Sequence, residues 1–400
     1  MTVSESGNIW SLKEGLDALG RDDSDGAESA VHRRVGSCLY TMTELCAQYG
    51  ISRKTGYKWA QRYAGEGFEG LQDRSRAPKS CTHRTPKEIS EGLLELRRAH
   101  PTWGPRKLLA WSRKREPAVS WPAASTVGDL LKRHGLVAGR RRPTRRWPHP
   151  GRPSVEAAAP NQVWTSDFKG QFRTGDGRLC YPLTVVDGYS RFLLGVDGLD
   201  SVAEVGAWPV FERLFREHGL PEVMRTDNGS PFASGTAVAG LSRLSVRWIK
   251  LGIRPERITP GHPEQNGAHE RMHRTLKAET ARPPAASRPA QQERFDQFRS
   301  IYNEERPHEA LAQRTPSELY RSSARPYPAQ VPESEYPGHF EVRSVRPSGE
   351  IKWQGGYLFL SATLDGERVG LEETADGVWS VYFGPMLLAR FDEREKKLCG

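Results

Sequence analysis

Three acidic residues occupy positions from which they could assemble a divalent-metal site. Asp167 lies at the end of one β-like run, Asp227 directly follows another, and Glu270 belongs to a basic helical segment. If the two runs pair in one sheet, the three carboxylates converge, and carboxylate oxygens are ligands that hard cations such as Mg²⁺ prefer. The sequence therefore predicts a metal site built from Asp167, Asp227 and Glu270.

The helix that carries Glu270 is expected to have two unlike faces. Glu270, Arg274 and Lys277 fall on one side of it, at positions i, i+4 and i+7. The opposite, apolar side consists of Ala268, Met272 and Leu276. A carboxylate that holds metal would thus lie beside Arg274 and Lys277, two cations that can hold DNA phosphate.

The same helix offers a competing interpretation. The segment from His269 to His273 matches His-Glu-x-x-His, the signature of zinc peptidases in which two histidines bind zinc and the glutamate acts as a base. A peptidase would leave Asp167, Asp227 and the many basic residues without a role. Zinc peptidase is therefore a remote alternative.

Composition favours a multidomain protein with an anionic partner. The 400 residues suggest two to four domains, and the formal net charge of +10 favours a polyanion, because each phosphate neutralised by Lys or Arg releases counterions. Five widely spaced cysteines without a Cys-x-x-Cys pair argue against a disulfide framework and a thiolate zinc site. Because no apolar run has membrane-spanning length, we expect a cytoplasmic, nucleoid-associated protein with no membrane partner.

The N-terminal region favours helical DNA-binding units. Residues 1–40 are rich in Gly, Ser and Asp and are expected to be poorly ordered. Residues 41–80 predict a helix-turn-helix, with one helix from Thr43 to Gly50 and a second after Ile51. The second helix carries Arg53, Lys54 and Lys58, as a recognition helix in a major groove would. A plain αα-hairpin with a solvated basic face is the alternative.

Residues 85–137 and 138–159 predict a second helical unit followed by a basic linker. The unit should begin with a capping box of Thr85, Pro86 and Glu88 and could also bind DNA. Prolines prevent a helix in the linker, which we expect to track a phosphate backbone. Its candidate DNA-binding residues are Arg140, Arg141, Arg142, Arg145 and Arg146.

Residues 160–325 alternate strands and helices in the order of a ribonuclease-H-like α/β domain. Three strands come first, then a helix capped at Ser201 and kinked or restarted at Pro209, then a fourth strand that ends at Asp227. A Pro-rich linker follows at 326–338. In residues 339–400, short β-like runs recur between Gly-containing turns, which predicts a small all-β barrel.

Five short motifs lie within residues 43–320 and together are specific. They are Trp164-Thr165-Ser166-Asp167-Phe168-Lys169, Asp187-Gly188-Tyr189-Ser190-Arg191, Arg225-Thr226-Asp227-Asn228-Gly229, His262-Pro263-Glu264-Gln265-Asn266-Gly267-Ala268-His269-Glu270-Arg271 and Tyr302-Asn303-Glu304-Glu305-Arg306-Pro307-His308. On these motifs the chain resembles the transposases of bacterial insertion sequences and the related retroviral integrases.

The resemblance implies an activity and a set of partners. Carried over by position, the family's catalytic metal ligands fall on Asp167, Asp227 and Glu270, which would hold two Mg²⁺ ions with Mn²⁺ as a substitute. The implied reaction is phosphodiester cleavage at element ends followed by strand transfer into target DNA. The implied partners are double-stranded DNA and further copies of the chain, because two DNA ends need paired active sites.

Two departures from the family's pattern leave alternatives. Glu264 lies 37 residues after Asp227, nearer the family's usual gap than Glu270 at 43, but Glu270 follows Asn-Gly on the helix as the family's acid does. The zinc module of the retroviral relatives is absent from the sequence, and the first 40 residues lack the expected leading helix. A DNA-binding regulator or an inactive relic of a transposase is therefore the alternative function.

Overall fold

The computed structural model of the protein describes residues 41–48, 50–71, 85–137, 156–234, 237–259, 263–394 and 397–399. The chain divides into two compact units at Arg84–Thr85, and each is described by itself. The predictions for residues 1–40 and for most of the basic linker, including its five arginines, lie outside the described residues.

The first unit contains the predicted pair of helices, α1 (Met42–Gln48) and α2 (Arg53–Glu66). The α1 helix begins one residue earlier than expected, because Thr41 and Glu44 form a reciprocal cap: Thr41 N donates to the Glu44 carboxylate at 2.7 Å and Glu44 N donates to Thr41 Oγ1 at 3.3 Å. Gly56 permits the close approach of the two helices, since a Cβ there would lie 2.5 Å from Cys46 Sγ.

The second unit opens with three helices, α3 (Lys87–Ala99), α4 (Pro105–Arg115) and α5 (Ala124–Arg133). They share a core of buried residues, which includes Leu93, Trp103, Leu108, Val127 and Leu131. The predicted capping box at Thr85 is wrong. Pro86 takes the N-cap position and makes no side-chain cap, so the helix begins one residue late and Glu88 comes too early in the first turn to reach back.

These helices pack on the α/β core through polar contacts to the last of the five motifs. Arg306 donates to Thr102 Oγ1 at 2.9 Å and pairs with Glu279 at 3.2 Å. Within the same motif, Asn303 is buried and bonds both backbone groups of Leu193, accepting from its N–H at 2.8 Å and donating to its C=O at 2.9 Å. The motif from Tyr302 to His308 therefore joins the helical unit to the sheet.

The central sheet is mixed, in the order β4–β3–β1–β5–β6, with the short β2 on the start of β3. Its strands are β1 (Val163–Phe168), β2 (Phe172–Arg173), β3 (Leu179–Asp187), β4 (Leu193–Leu199), β5 (Val223–Thr226) and β6 (Arg254–Arg257). The first three long strands are antiparallel, whereas β1, β5 and β6 run parallel. Three antiparallel strands followed by parallel ones confirm the expected ribonuclease-H-like α/β core.

Helices cover both faces of this sheet. One apolar cluster joins α6 (Glu204–His218) and α7 (Arg243–Lys250) to Trp164 of β1. A second joins α8 (Gly267–Thr280) and α9 (Arg288–Ser300) to Val186 and Val196 on the other strands. The α9 helix continues as a π-helical turn, Ile301–Glu305, and a short helix, α10 (Pro316–Leu319), closes the region. Because α8 lies on the sheet, its buried side meets the strand that carries Asp167.

The predicted cap of α6 at Ser201 is wrong, and of the two outcomes expected at Pro209 the restart does not occur. Ala203 occupies the N-cap position, and Ser201 Oγ instead accepts from Ala203 N at 3.3 Å in the preceding turn. The helix runs on through Pro209 as one element. It ends at Gly219, where φ is 76° and a side chain would be strained.

The predicted C-terminal barrel is not supported. The strands β7 (Glu341–Ser344), β10 (Arg368–Ala375), β11 (Val378–Phe383), β12 (Met386–Asp392) and β13 (Lys397–Cys399) form an open antiparallel sheet, and β8 (Glu350–Trp353) pairs with β9 (Gly356–Phe359) in a separate hairpin. The sheet need not close on itself to bury its apolar face, because Val246 and Ile249 of α7 join its core. Lys250 and Glu367 add an ion pair at 2.9 Å across this contact.

No helix in the described ranges is long and apolar enough to cross a membrane.

Candidate active site

Asp167 and Asp227 lie side by side at the carboxyl ends of two parallel strands. The register pairs Ser166 of β1 with Thr226 of β5. Asp167 is the residue after Ser166 in β1, and Asp227 directly follows the end of β5. Asp227 is further fixed by its own turn, since its Oδ1 accepts from Gly229 N at 3.0 Å. The edge where parallel strands end is a frequent position for ligands, and here it carries two carboxylates.

The charges of both other acids affect the pKa of Asp167. Burial raises the pKa of Asp167 to about 7, with the negative charge of Asp227 as the next cause and a smaller contribution from Glu270, while Lys169 acts in the opposite direction. Its side chain is 21% exposed. The three residues predicted from sequence thus share one electrostatic neighbourhood, in which negative charge is not neutralised by the protein.

Glu270 nevertheless stands apart from the two aspartates. Glu270 lies in the first turn of α8, and its side chain is exposed. The side chains of Arg274 and Lys277, which lie farther along the helix, are exposed as well. Across the described residues, no group of three or more His, Cys, Asp or Glu side chains is gathered so that it could hold a metal ion. The donor set has the chemistry of a site for hard cations, but Glu270 is not drawn in against Asp167 and Asp227.

The zinc-peptidase interpretation is contradicted by the environment of the two histidines. His269 and His273 are 1% and 2% exposed, and both lie on the buried side of α8. The Nε2 atoms of both rings contact the hydroxyl of Thr184 at 2.6 Å, and His269 Nδ1 contacts Thr165 Oγ1 at 2.8 Å. Ring nitrogens that are engaged with buried hydroxyl groups cannot form an open catalytic zinc site.

The hydrogen bonds around Thr184 link both rings to the strand that carries Asp167. The Thr184 hydroxyl has one proton and three polar neighbours, which are the carbonyl oxygen of Asp167 at 3.0 Å and the Nε2 atoms of both rings, so at least one histidine donates its Nε2–H to Thr184. The Nδ1 atom of His273 lies 3.5 Å from Asp167 Oδ2. Burial lowers the pKa of His269 to about 3 and lowers that of His273 as well, so both rings stay neutral.

Sequence analysis missed Thr184 and the part played by His273. A threonine between Leu183 and Val185 in an apolar strand carries no distinctive signal, because its partners come from a helix about ninety residues later. A signal for His273 was present: it lies three residues after Glu270 and four after His269, which places it on the same side of the helix as His269. The match to His-Glu-x-x-His predicts a zinc ligand at His273, whereas the spacing also fits a packed histidine.

Asp187, which opens the second of the five motifs, has a structural role. Asp187 is fully buried; its Oδ1 accepts from Asn161 N at 2.7 Å and its Oδ2 accepts from the backbone and hydroxyl of Ser190 at 2.8 and 2.6 Å. These bonds hold the turn that follows β3. They leave Asp187 no role as a metal ligand.

The predicted recognition residues are exposed on α2. Arg53, Lys54 and Lys58 all present their side chains to solvent, and Lys58 Nζ lies 5.1 Å from the centroid of the Trp59 ring. Ser52 caps this helix by accepting from Thr55 N at 3.2 Å. The geometry is that of a basic helix with a well-defined start, which leaves DNA contact by these residues as a prediction.

Comparison with protein families divides the chain into known domains. Integrase core domain models match residues 157–263 and 251–316, homeodomain-like models match 37–72 and 55–131, and the model of the IS481 family transposase C-terminal domain matches 340–398. The integrase models include the positions of all three acids.

Individual relatives are more distant. An insertion element IS476 protein of Xanthomonas euvesicatoria is 25% identical over 233 residues, which cover 58% of this chain and 64% of that protein. An insertion element IS407 protein of Burkholderia multivorans is 29% identical over 163 residues, which cover 40% of this chain and 56% of that protein. The chain thus spans about three-fifths of the length of these relatives.

Among solved structures, the integrase catalytic core domain of HTLV-2 in complex with magnesium is similar at 15% identity, covering 41% of this chain and 99% of that one with a TM-score of 0.33. A simian T-cell lymphotropic virus intasome chain is similar at 16% identity, covering 74% of this chain and 97% of that one with a TM-score of 0.37.

Proposed function

We propose that this chain, which combines an integrase core with the C-terminal domain of IS481 family transposases, is a DNA transposase of the Asp-Asp-Glu type. It would cut phosphodiester bonds at the ends of its element and join them to target DNA. The observation that supports this most strongly is the pairing of β1 with β5, which sets Asp167 beside Asp227 within the electrostatic reach of Glu270.

The donor set fits magnesium. Asp167, Asp227 and Glu270 offer only carboxylate oxygens, and the pKa of Asp167 is raised by burial and next by the negative charge of Asp227, both of which a bound divalent cation would offset. Two bound Mg²⁺ ions, or Mn²⁺ in their place, would supply Lewis-acid activation of the attacking hydroxyl and stabilisation of the leaving oxygen. Glu270 would have to turn toward the aspartates to share an ion with them, because no such group is gathered among the described side chains.

The surrounding residues of the chain would orient the first acid. Thr184 bonds the carbonyl of Asp167 and fixes the rings of His269 and His273, and His273 Nδ1 stands 3.5 Å from the Asp167 carboxylate. This contact limits the positions that the Asp167 side chain can take. His273 and Thr184 are therefore proposed as positioning residues beneath the site.

Basic side chains would hold the DNA. Arg274 and Lys277 are exposed on the same helix as Glu270 and would bind backbone phosphates near the reacting bond. Arg53, Lys54 and Lys58 on α2 would read the major groove at the element ends, and the basic linker would follow the backbone. We further propose that at least two copies act together on the bacterial nucleoid, one for each DNA end.

The proposal is tested by strand transfer of the full chain on candidate terminal-repeat DNA with Mg²⁺, Mn²⁺ or a chelator. We expect transfer with Mg²⁺ or Mn²⁺ and none with chelator, and we expect Asp227→Asn to lose transfer while it retains DNA binding. Unchanged transfer by that variant would refute the assignment. DNA binding without transfer by the wild type would favour a DNA-binding regulator or an inactive transposase.

A further inference from the structure

A cavity of about 310 Å³ lies beside the N-terminal turn of α8 and is lined by basic residues. Arg191, Arg225 and Arg271 contribute to its wall, and among the described lining residues Glu156 is the only acidic one. Arg225 is already paired with Glu256 at 3.2 Å.

Arg191 and Arg271 bring two positive charges to this cavity. Within the described residues, neither guanidinium makes an ion pair or a side-chain hydrogen bond. Burial is the main cause that lowers the pKa of Arg191, and the positive charge of Arg271 adds to it, while Tyr302 and the Asp187 carboxylate act in the opposite direction. Asp187 forms no hydrogen bond with Arg191, because its oxygens accept from Asn161 and Ser190.

Two further polar groups line the cavity without partners. Tyr302 is 6% exposed and Asn266 is 7% exposed, and neither side chain has a hydrogen-bond partner in the part of the chain that the structure describes. Both side chains therefore have hydrogen-bonding capacity that is directed to the cavity and not used within the described residues. Burial raises the pKa of Tyr302 to about 12, and its hydroxyl therefore keeps a proton to donate.

The start of α8 adds the same kind of donor. Asn266 is the N-cap residue of this 14-residue helix, yet its side chain makes no cap hydrogen bond. The first turn of a helix presents backbone N–H groups and the positive end of the helix dipole, which favour an anion. Two guanidinium groups, a phenol, a carboxamide and a helix N-terminus thus face one space, and each of them can donate hydrogen bonds.

We propose that this cavity binds a phosphate group of the DNA backbone. Guanidinium groups bind phosphate through paired N–H donors, and a phosphate supplies the acceptors that Arg191, Arg271, Tyr302 and Asn266 lack. The choice of DNA as the source rests on the proposed function. Because Glu270 belongs to the same first turn of α8, a strand held in this cavity is held next to that acid.

The test measures binding of a terminal-repeat duplex by fluorescence anisotropy at several salt concentrations. Arg191→Gln, Arg271→Gln and Tyr302→Phe are made in the full chain, with Arg294→Gln as the matched control. Arg294 is exposed on α9 and donates to the carbonyl of Pro283 at 2.7 Å. Each lost phosphate contact should reduce the slope of log K against log salt by about 0.9. We expect that reduction for Arg191→Gln and Arg271→Gln, weaker binding for Tyr302→Phe, and no change for the control.

A second arm separates DNA from free phosphate. Inorganic phosphate should raise the melting temperature of the wild type and not that of Arg191→Gln. Unchanged salt slopes in both Gln variants would overturn the proposal. Stabilisation by inorganic phosphate together with unchanged slopes would mean a free-anion site and would overturn the assignment to DNA.

The outcome can be separated from that of the proposed function. The binding measurements are repeated in the Asp227→Asn background, in which transfer is expected to be absent. Reduced slopes with an inactive wild type would support the phosphate cavity and count against the transposase. Normal strand transfer by the wild type, together with unchanged salt slopes in the Gln variants, would support the transposase and overturn the phosphate cavity.

Discussion

Replacing Asp167 by Asn should stabilise the protein at neutral pH, although it removes a carboxylate proposed to hold metal. In the folded protein, burial and the charge of Asp227 raise the pKa of Asp167 from 3.8 to about 7. The folded state therefore binds more protons than the unfolded state between these two values, and the stability of the wild type falls as pH rises through that window. Above pH 7 the folded state carries the full cost of the buried charge.

The size of the effect on the free energy of unfolding follows from the pKa change of Asp167. The pKa is about three units higher in the folded state, and each pKa unit corresponds to about 1.4 kcal/mol, so the stabilisation by Asn has an upper bound of roughly 4 kcal/mol. Asn cannot titrate, so the difference in melting temperature between the variant and the wild type should be near zero at pH 4 and should grow to the order of 10 °C at pH 8. Saturating Mg²⁺ should stabilise the wild type and reduce this difference, because the cation neutralises the same charge.

Calorimetry of the two proteins at pH 4, 5, 6, 7 and 8 measures this directly. Asp296→Asn, on the exposed side of α9, removes a carboxylate with no such burial and serves as the control. A difference that does not depend on pH, or an Asp167→Asn variant that is less stable at pH 8, would refute the reasoning. In either case burial and the charge of Asp227 would not disfavour the ionised Asp167 carboxylate.

Two other substitutions test the supports of the site. Thr184→Val removes the hydroxyl that bonds the Nε2 atoms of His269 and His273 and leaves both buried ring nitrogens without that partner; it should cost about 2–4 kcal/mol in urea unfolding, whereas Thr184→Ser should restore most of it. Equal stability of the Val and Ser variants would contradict the hydrogen-bond network. Ile249→Ala, at a position 6% exposed, should cost about 2–4 kcal/mol and separate the melting of the C-terminal sheet from that of the core. A single unchanged calorimetric transition would show that α7 does not hold that sheet.

The sequence was sufficient for the elements that place the acids. The apolar runs that end at Asp167 and Asp227 are strands, and they are neighbours because a parallel pair in a twisted sheet with covering helices buries both runs. The polar and apolar sides of α8 were also predictable, since helical periodicity places Met272 and Leu276 opposite Glu270. The two strand runs and the helical periodicity of α8 together position the three acids of the candidate site.

Features that depend on distant partners were not predictable. Whether the short C-terminal strands close into a barrel depends on what covers their apolar face, and α7 covers it from more than a hundred residues away. Three helices begin one or a few residues away from their predicted starts. The reason is that Thr41, Pro86 and Ala203 occupy the N-cap positions in place of the predicted residues. The phosphate cavity was likewise invisible, since Arg191, Asn266 and Tyr302 meet only in the folded chain.

Strand transfer by Glu270→Gln and Glu264→Gln decides which glutamate is the third acid of the proposed site. Glu264 lies in the turn Pro263–Asn266 that precedes α8, whereas Glu270 lies on the helix, and its charge contributes to the raised pKa of Asp167. Both variants should bind terminal-repeat DNA as the wild type does. With Mg²⁺, we expect that Glu270→Gln loses transfer to the background level and that Glu264→Gln retains it. Transfer that survives in Glu270→Gln and is lost in Glu264→Gln would contradict the site proposed here.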